Sequence, residues 1–274
     1  MNKYDVVIIG AGIVGAACAR KLKLENPQLK ILLLEKEAKP ALHQTGRNSG
    51  VIHAGVYYAP GSLKARYCRE GLDRTIAYCE EHHLPFLQCG KMIVATNDLE
   101  EQRLQTLFER CERNDLSPQM CSQQQLQSRE ANVTGQAAIF VRQTGITNYT
   151  AITQHFLQVF GDSGGDVRYC EQVTNLEEET QEVSVTTNKG HYQTSLLLNC
   201  AGLQSDVLIR KLIPDINWRI VPFKGEYFRL PSKYNDIVQH LIYPVPDPDL
   251  PFLGVHLTRM IDGSVTVEMH AQKR

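Results

Sequence analysis

The chain opens with an apolar run that passes directly into glycines. Residues 4–9 are mostly β-branched and apolar, which is typical of a buried strand, and Gly10-Ala11-Gly12-Ile13-Val14-Gly15 follows at once. Residues 16–24 have helical character, and a second apolar run over 31–34 ends at Glu35. The pattern predicts a strand, a glycine turn, a helix, a second strand and an acidic residue, in that order.

Helices and strands alternate through the middle of the chain, after a polar loop region over 36–61. Periodicity predicts helices over 63–83, 98–114 and 150–160, with a turn at Ser117-Pro118 leading into a short helix within 119–127. It predicts strands over 91–96, 137–141 and 147–149, the last two on either side of a turn at Gly145.

In the second half of the chain, the sequence pattern predicts mainly β-sheet. Residues 166–199 have the pattern of a β-meander, with strands over 167–169, 182–186 and 192–198. A second sheet is predicted from strands over 220–229, 237–243, 252–258 and 264–267. No linker rich in Pro, Gly or Ser separates the two regions, so we expect the domains to be interleaved.

Each part of the opening motif has a physical role in binding a dinucleotide. Gly10 permits a tight turn, Gly12 lets the backbone approach a pyrophosphate at the positive end of the helix, and Gly15 allows close packing. Glu35 can accept hydrogen bonds from ribose hydroxyls. The motif predicts a dinucleotide site without distinguishing NAD from FAD.

The amino-acid composition excludes several classes of protein. The 274 residues are 42% hydrophobic, enough for a full core, and the net charge of −1 argues against nucleic acid as the main partner. The chain begins with a strand and has no apolar run near the ~20 residues of a membrane span, so neither a signal peptide nor a spanning helix is expected. Eight scattered cysteines without a C-x-x-C pair predict reduced thiols of a cytoplasmic protein and no metal site.

The segments that follow the motif favour FAD. Residues 44–55 resemble the second FAD-contacting segment of the glycine oxidase and D-amino-acid oxidase superfamily, and Asn199-Cys200-Ala201-Gly202 resembles its later flavin contact. Longer strings over 49–66, 221–227 and 243–259 resemble the bacterial L-2-hydroxyglutarate oxidase (dehydrogenase) family. That likeness extends over essentially residues 1–267.

The resemblance implies a mixed α/β fold, with a Rossmann-like FAD-binding domain and an interleaved antiparallel-sheet substrate domain like that of D-amino-acid oxidase. The βαβ opening and the meander favour this fold class independently. We place the FAD-binding domain at 1–90 and 150–215, without its closing C-terminal part, and the substrate domain at 91–149 and 216–274.

The implied activity is FAD-dependent oxidation of L-2-hydroxyglutarate to 2-oxoglutarate by hydride transfer to flavin N5. Electrons would pass to a membrane quinone or to oxygen. The partners are then a small 2-hydroxy dicarboxylate and a quinone at the membrane surface, without nucleic acid. The expected location is cytoplasmic, with peripheral attachment to the inner membrane.

The glycine motif and the resemblance together select the cofactor-binding residues. They are Gly10, Gly12, Ile13, Gly15, Glu35, Lys36, Thr45, Gly46, Arg47, Asn48, Ser49, Gly50, Val173, Ala201 and Gly202.

Two histidines are candidates for the base that takes the proton of the 2-hydroxyl group. His53 follows the polar flavin loop. His256 lies in a predicted strand whose alternating neighbours face the other side. A purely structural role is an equal alternative for each of them.

A dicarboxylate substrate also needs cationic partners. Arg259 is the candidate for a catalytic role, although three residues from His256 place it on the opposite face of an ideal strand. Tyr57, Lys64 and Lys224 are candidates for substrate binding, with ordinary solvated charge as the alternative for the lysines.

Two alternative hypotheses for the function of the chain stay open. Family members continue past the strand over 263–267 with a further flavin-domain segment, whereas this chain has a polar stretch over 268–274, so we expect a shortened and incomplete sheet. The chain would then be an inactive fragment, and a genuine short variant of the family is the alternative. An amine or amino-acid oxidase on the same scaffold is the second alternative.

Overall fold

A computed structural model describes residues 2–249 and 254–273. The helices are α1 (Ile13–Glu25), α2 (Leu63–Glu81), α3 (Asp98–Arg113), α4 (Gln123–Arg129), α5 (Tyr149–Asp162) and α6 (Ser205–Leu212). The strands are β1 (Asn2–Ile9), β2 (Ile31–Leu34), β3 (Val51–Ile52), β4 (Phe86–Leu87), β5 (Lys91–Ala95), β6 (Pro118–Ser122), β7 (Ala137–Val141), β8 (Gly145–Thr147), β9 (Asp166–Arg168), β10 (Val173–Glu178), β11 (Val183–Thr187), β12 (His191–Asn199), β13 (Phe223–Arg229), β14 (Leu241–Pro244), β15 (His256–Arg259) and β16 (Val265–Lys273).

The contacts divide the chain into two units, each made of two segments. The first unit is Met1–Asn48 with Tyr149–Pro222, and the second is Ser49–Asn148 with Phe223–Arg274. Residues 49–90 belong to the second unit, whereas the sequence-based boundaries place them in the cofactor-binding domain. The reason is that β3 pairs with β8 and that α2 packs into the same core as β5. The function of each segment stays a prediction.

The first unit contains a six-stranded sheet with the order β10-β11-β12-β1-β2-β9. The strands from β12 through β1 and β2 to β9 are parallel, and β10, β11 and β12 form an antiparallel meander. Strand β1 is buried on both faces: Val6 and Ile8 pack in a core with α1 and α5, and Val7 and Ile9 pack opposite with α6. This double burial explains the unbroken apolar run that begins the sequence.

The predicted meander is wrong at its first strand. Strand β9 was expected to start the meander, but it pairs with β2 at the other edge of the sheet. The first meander strand is β10, which the sequence analysis missed. A register shift between Val173 and Asn175 interrupts the two-residue alternation that the prediction requires.

The second unit contains a seven-stranded sheet, with the order β13-β16-β15-β14-β5-β7-β6, and a small sheet of β3, β8 and β4. The neighbours in the large sheet are antiparallel, apart from the parallel pair β14 and β5. The turn predicted at Ser117-Pro118 is wrong, because Pro118 begins the edge strand β6, where its missing N–H is tolerated. Gly145 begins β8 instead of turning, and a Cβ there would lie 2.8 Å from the carbonyl oxygen of Leu87.

The last described strand is longer than the sequence predicts. The predicted strand ends at Val267, but β16 continues to Lys273 because β13 pairs with it along that length. The polar stretch is therefore part of the sheet. The strand predicted over 252–258 begins outside the described residues, and its described part is β15.

Candidate functional site

A cavity of about 730 Å³ lies in the first unit, at the carboxyl ends of β1 and β2 and the start of α1. Ligands of parallel α/β sheets bind at such strand ends, and small-molecule sites have volumes of roughly 300–1,000 Å³. The predicted cofactor residues that line the cavity are Gly10, Gly12, Ile13, Glu35, Lys36, Thr45, Val173, Ala201 and Gly202.

The three motif glycines have different surroundings. Gly10 has φ +105°, and a Cβ on it would lie 2.5 Å from the carbonyl oxygen of Cys200. A Cβ on Gly15 would lie 1.9 Å from the carbonyl oxygen of Gly10, so α1 and β1 could not pack as they do. A Cβ on Gly12 would meet only Thr45 Oγ1, at 3.3 Å. The middle glycine therefore leaves the backbone open to the cavity, and the other two are needed for the turn itself.

Glu35 fixes the loops at the end of the first two strands. Its side chain is buried, with Oε2 accepting a hydrogen bond from Ala11 N at 2.8 Å and Oε1 accepting one from Glu37 N at 2.9 Å. An ionised carboxylate has about four acceptor positions, so two remain for a ligand in the cavity. The carboxylate thus has the capacity to accept hydroxyl hydrogens.

The polar loop after Glu35 is anchored on the first helix. Thr45 Oγ1 accepts a hydrogen bond from Ile13 N at 3.0 Å, which satisfies one of the free amides at the start of α1. Asn48 Nδ2 donates to the carbonyl oxygens of Gln44 and Thr45 at 2.9 and 2.6 Å. These bonds place the loop over the positive end of α1.

Some predicted cofactor residues lie outside the cavity lining, namely Gly15, Gly46, Arg47, Asn48, Ser49 and Gly50. Gly46 is needed for close packing, since a Cβ would lie 2.1 Å from the carbonyl oxygen of Ala41. Arg47 is exposed. Ser49 and Gly50 belong to the second unit, where the Gly50 carbonyl oxygen accepts a hydrogen bond from Thr147 N at 2.8 Å.

In the second unit, His256 is held on both sides of its ring. Nε2 lies 3.0 Å from Glu268 Oε2, across the β15–β16 pair, and Nδ1 lies 3.0 Å from the carbonyl oxygen of Gly254. The ring is buried and stacks on Tyr243 with centroids 4.2 Å apart. The hydrogen bond from His256 lowers the pKa of Glu268. Because both nitrogens face oxygen acceptors, His256 is arranged to donate hydrogen bonds.

His53 follows β3 and keeps solvent-accessible surface. Desolvation by the surrounding protein lowers its pKa, and the positive charges of Lys91 and His256 lower it further. His53 is therefore neutral at pH 7, and the same effects make it a weaker base than an ordinary histidine. Lys91 and His256 thus lie within electrostatic range of His53 in the second unit.

The other predicted substrate and catalytic residues lie in different surroundings. The Tyr57 ring lies near Lys91, with 5.3 Å between Lys91 Nζ and the ring centroid. Lys64 is exposed at the start of α2, and Lys224 is exposed and paired with Glu226 at 2.5 Å. Arg259 faces away from His256 along β15 and donates to Gln239 Oε1 at 3.1 Å. Contacts through Lys91 and Tyr243 thus bring Tyr57 and His256 together, and His53 is related to them only through the charge of Lys91. Arg259 and Lys224 bond to other side chains, and Lys64 is exposed.

Lys91 was missed by the sequence analysis as a site residue. It is 1% exposed, and its Nζ lies 3.9 Å from the centroid of the Tyr243 ring. Burial lowers its pKa to about 8. The available signal was a lysine at the start of a strand, Lys91–Ala95, whose other members are all apolar and buried. Glu268 was missed because it was assigned to the polar stretch after the last strand.

Membrane-spanning helices and metal-binding clusters are both absent from the described residues. Within 2–249 and 254–273, no helix is long and apolar enough to cross a membrane. In the same residues, no group of three or more His, Cys, Asp or Glu side chains is arranged to hold a metal ion.

Comparison with known proteins identifies the family. Residues 5–273 match the family model described as FAD dependent oxidoreductase, and the chain belongs to this family. FAD is the family's cofactor, so the predicted cofactor is confirmed. The chain is also similar to L-2-hydroxyglutarate dehydrogenase of Escherichia coli strain K12, with 49% identity over 269 residues. The alignment covers 98% of this chain and 64% of that relative, and it confirms the resemblance found in the sequence.

Solved structures confirm the fold class. The L-alpha-glycerophosphate oxidase of Mycoplasma pneumoniae, solved with FAD bound, superposes with a TM-score of 0.88 at 23% identity, covering 100% of this chain and 72% of that one. Glycine oxidase of Geobacillus kaustophilus superposes with a TM-score of 0.85 at 14% identity, with the same two coverages. At these identities the likeness concerns the fold alone.

Proposed function

We propose that this chain is the FAD-carrying part of an enzyme that oxidises L-2-hydroxyglutarate to 2-oxoglutarate. The observation that carries the proposal is the cavity of the first unit, combined with 49% identity to a relative named for that reaction. The chain spans 64% of that relative's length, so activity and substrate are inferences for the whole protein.

The residues around the cavity fit the dinucleotide part of FAD. Gly12 leaves the backbone accessible at the start of α1, where the helix dipole favours a pyrophosphate. Glu35 retains acceptor positions for ribose hydroxyls. We propose that the first unit holds the cofactor and that the second unit supplies the groups that act on the substrate.

Bound FAD supplies the acceptor for the hydride that leaves C2 of the substrate. His53 is the favoured base for the 2-hydroxyl proton, because it is an exposed histidine that directly follows β3 and is neutral at pH 7. His256 stays the second candidate for that base, and because its two ring nitrogens already face Glu268 and the Gly254 carbonyl oxygen, a role in positioning the neighbouring side chains is its alternative. Arg259, Lys64 and Lys224 stay proposed contacts of the substrate.

The electron acceptor belongs to the proposal as well. We propose a membrane quinone or oxygen, reached by a cytoplasmic protein that attaches peripherally to the inner membrane.

The test is formation of 2-oxoglutarate by the FAD-loaded chain with an artificial electron acceptor. L-2-hydroxyglutarate should be oxidised and D-2-hydroxyglutarate should not. His53→Gln should lower kcat by about 10²- to 10⁴-fold, the usual contribution of a positioned base. Oxidation of glycine or another amino acid in place of L-2-hydroxyglutarate would overturn the proposal in favour of an amine oxidase.

A further inference from the structure

The first unit and the second unit each bury a lysine, and the two ammonium groups differ in their partners. Lys23 is 6% exposed, and its Nζ donates to the carbonyl oxygens of Pro27 and Leu29, both at 2.8 Å. Lys91 is 1% exposed, and within the described residues its Nζ makes neither a hydrogen bond nor an ion pair. Lys91 therefore buries a charge for which residues 2–249 and 254–273 provide no acceptor.

Aromatic rings compensate only part of that cost. Lys91 Nζ lies 3.9 Å from the Tyr243 ring centroid and 5.3 Å from that of Tyr57, both within cation–π range. A ring face attracts a cation but accepts no strong hydrogen bond, so the three ammonium hydrogens keep unused donor capacity. At neutral pH the ammonium form predominates, since burial lowers the pKa of Lys91 only to about 8.

A second donor beside Lys91 also lacks an acceptor. The hydroxyl group of Tyr57 is buried, and in the part of the chain that the structure describes it has no hydrogen-bond partner. Buried polar groups without partners are rare, and such a group in a native protein points to a missing ligand or water. Two buried donors, one of them positively charged, call for an anionic acceptor.

The surrounding groups favour a carboxylate as that anion. The positive charge of Lys91 lowers the pKa of His53, the proposed base, so an anion bound at Lys91 would lie within electrostatic range of the group that takes the hydroxyl proton. One ammonium and one phenol match the single charge and two oxygens of a carboxylate. We infer that Lys91 and Tyr57 bind a carboxylate group of the substrate. The inference rests on the proposed function for the identity of that substrate.

The direct test is calorimetric titration of the FAD-loaded, 274-residue protein with glutarate, a dicarboxylate that has no hydroxyl group to oxidise. Lys91→Met keeps the length of the side chain and removes the charge, and should weaken glutarate binding by about 10- to 100-fold. Tyr57→Phe removes only the hydroxyl and should weaken it by about 2- to 10-fold.

Lys23→Met is the matched control, because it removes the other buried ammonium. It should leave glutarate binding unchanged and lower the melting temperature, since two carbonyl oxygens lose their donor. Lys91→Met should keep or raise the melting temperature, because an unpaired buried charge disappears. A structural lysine at position 91 would give the opposite pair of results: unchanged glutarate binding and a lower melting temperature.

The outcomes separate this inference from the proposed function. Glutarate binding that depends on Lys91, in a protein that does not oxidise L-2-hydroxyglutarate, would support the carboxylate site and overturn the proposed reaction. Oxidation of L-2-hydroxyglutarate with the same KM in wild type and Lys91→Met would overturn the site and leave the reaction standing. Failure of the wild-type protein to bind glutarate would also overturn the site.

Discussion

Glu35 joins two loops through one carboxylate, and this makes it sensitive to the loss of a single oxygen. In Glu35→Gln the amide offers one acceptor to two backbone donors, Ala11 N and Glu37 N, and turns an NH₂ group toward one of them. We expect a loss of about 1–3 kcal/mol in the free energy of unfolding and at least a tenfold loss in FAD affinity. Urea denaturation and flavin fluorescence titration measure the two effects.

Glu37→Gln serves as the control for that experiment. Glu37 pairs with Lys36 and His43 at the surface, where solvent screening leaves such pairs little effect on stability. Equal loss of FAD affinity in both variants would mean that general charge near the loop, and not the buried carboxylate, determines cofactor binding.

The pair His256–Glu268 predicts a pH dependence of stability. The hydrogen bond from His256 lowers the folded-state pKa of Glu268 below its ordinary value of 4.5. Its contribution is therefore fully present above pH 4.5 and is lost as the pH falls through the lowered, folded-state pKa. Glu268→Gln should be less stable than wild type at pH 7 by about 1–3 kcal/mol, and the difference should shrink in acid. A difference that stays constant down to pH 3.5 or so would contradict this assignment.

At the residue scale, the sequence predicts those site residues whose roles depend only on the local geometry of a short motif. The motif glycines and Glu35 could be assigned because their roles depend on a short strand, turn and helix in fixed spacing. Lys91 could not be assigned in the same way. Its surroundings, Tyr57 and Tyr243, come from distant parts of the chain, and only tertiary packing shows that its charge has no acceptor in the part of the chain that the structure describes.

At the scale of elements, two glycines of the turn between β1 and α1 have different roles, one in folding and the other in cofactor binding. Gly15→Ala forces a Cβ to within 1.9 Å of the Gly10 carbonyl oxygen, so we expect a loss of about 1–3 kcal/mol or more in the free energy of unfolding of the apoprotein. Gly12→Ala meets only Thr45 Oγ1 at 3.3 Å and has φ −74°, which alanine adopts easily. Its stability should change little, whereas its affinity for FAD should fall.

The comparison requires both variants in the same two measurements, chemical denaturation without FAD and titration with FAD. If Gly12→Ala unfolds the apoprotein as strongly as Gly15→Ala, the backbone of Gly12 is not the open surface of the cavity.

Elements with an uninterrupted pattern were predicted well, and those shaped by a partner were not. Strand β7 matches its prediction at both ends, because Ala137 to Val141 are buried without exception. Strand β10 was missed because of its register shift, and β16 was predicted too short because its second half depends on pairing with β13. In both cases the neighbouring strand supplies the information that the local sequence lacks.

At the scale of the whole molecule, the two units are each assembled from separated segments. The sequence predicts interleaving because no linker divides the chain, but the position of the first boundary depends on tertiary contacts. The strand β3 has only two residues. Its pairing with β8 is one of the contacts that assign residues 49–90 to the second unit. A strand of two residues carries too little pattern to be recognised in advance.

The central claim is that this chain holds FAD and reduces it with L-2-hydroxyglutarate. The most direct measurement is the visible spectrum of the purified protein, recorded before and after adding L-2-hydroxyglutarate without oxygen. We expect flavin bands that bleach with the L enantiomer and persist with the D enantiomer. A protein that carries flavin and does not bleach would contradict the proposed reaction, and a protein without flavin bands that also fails to take up added FAD would contradict the cofactor site itself.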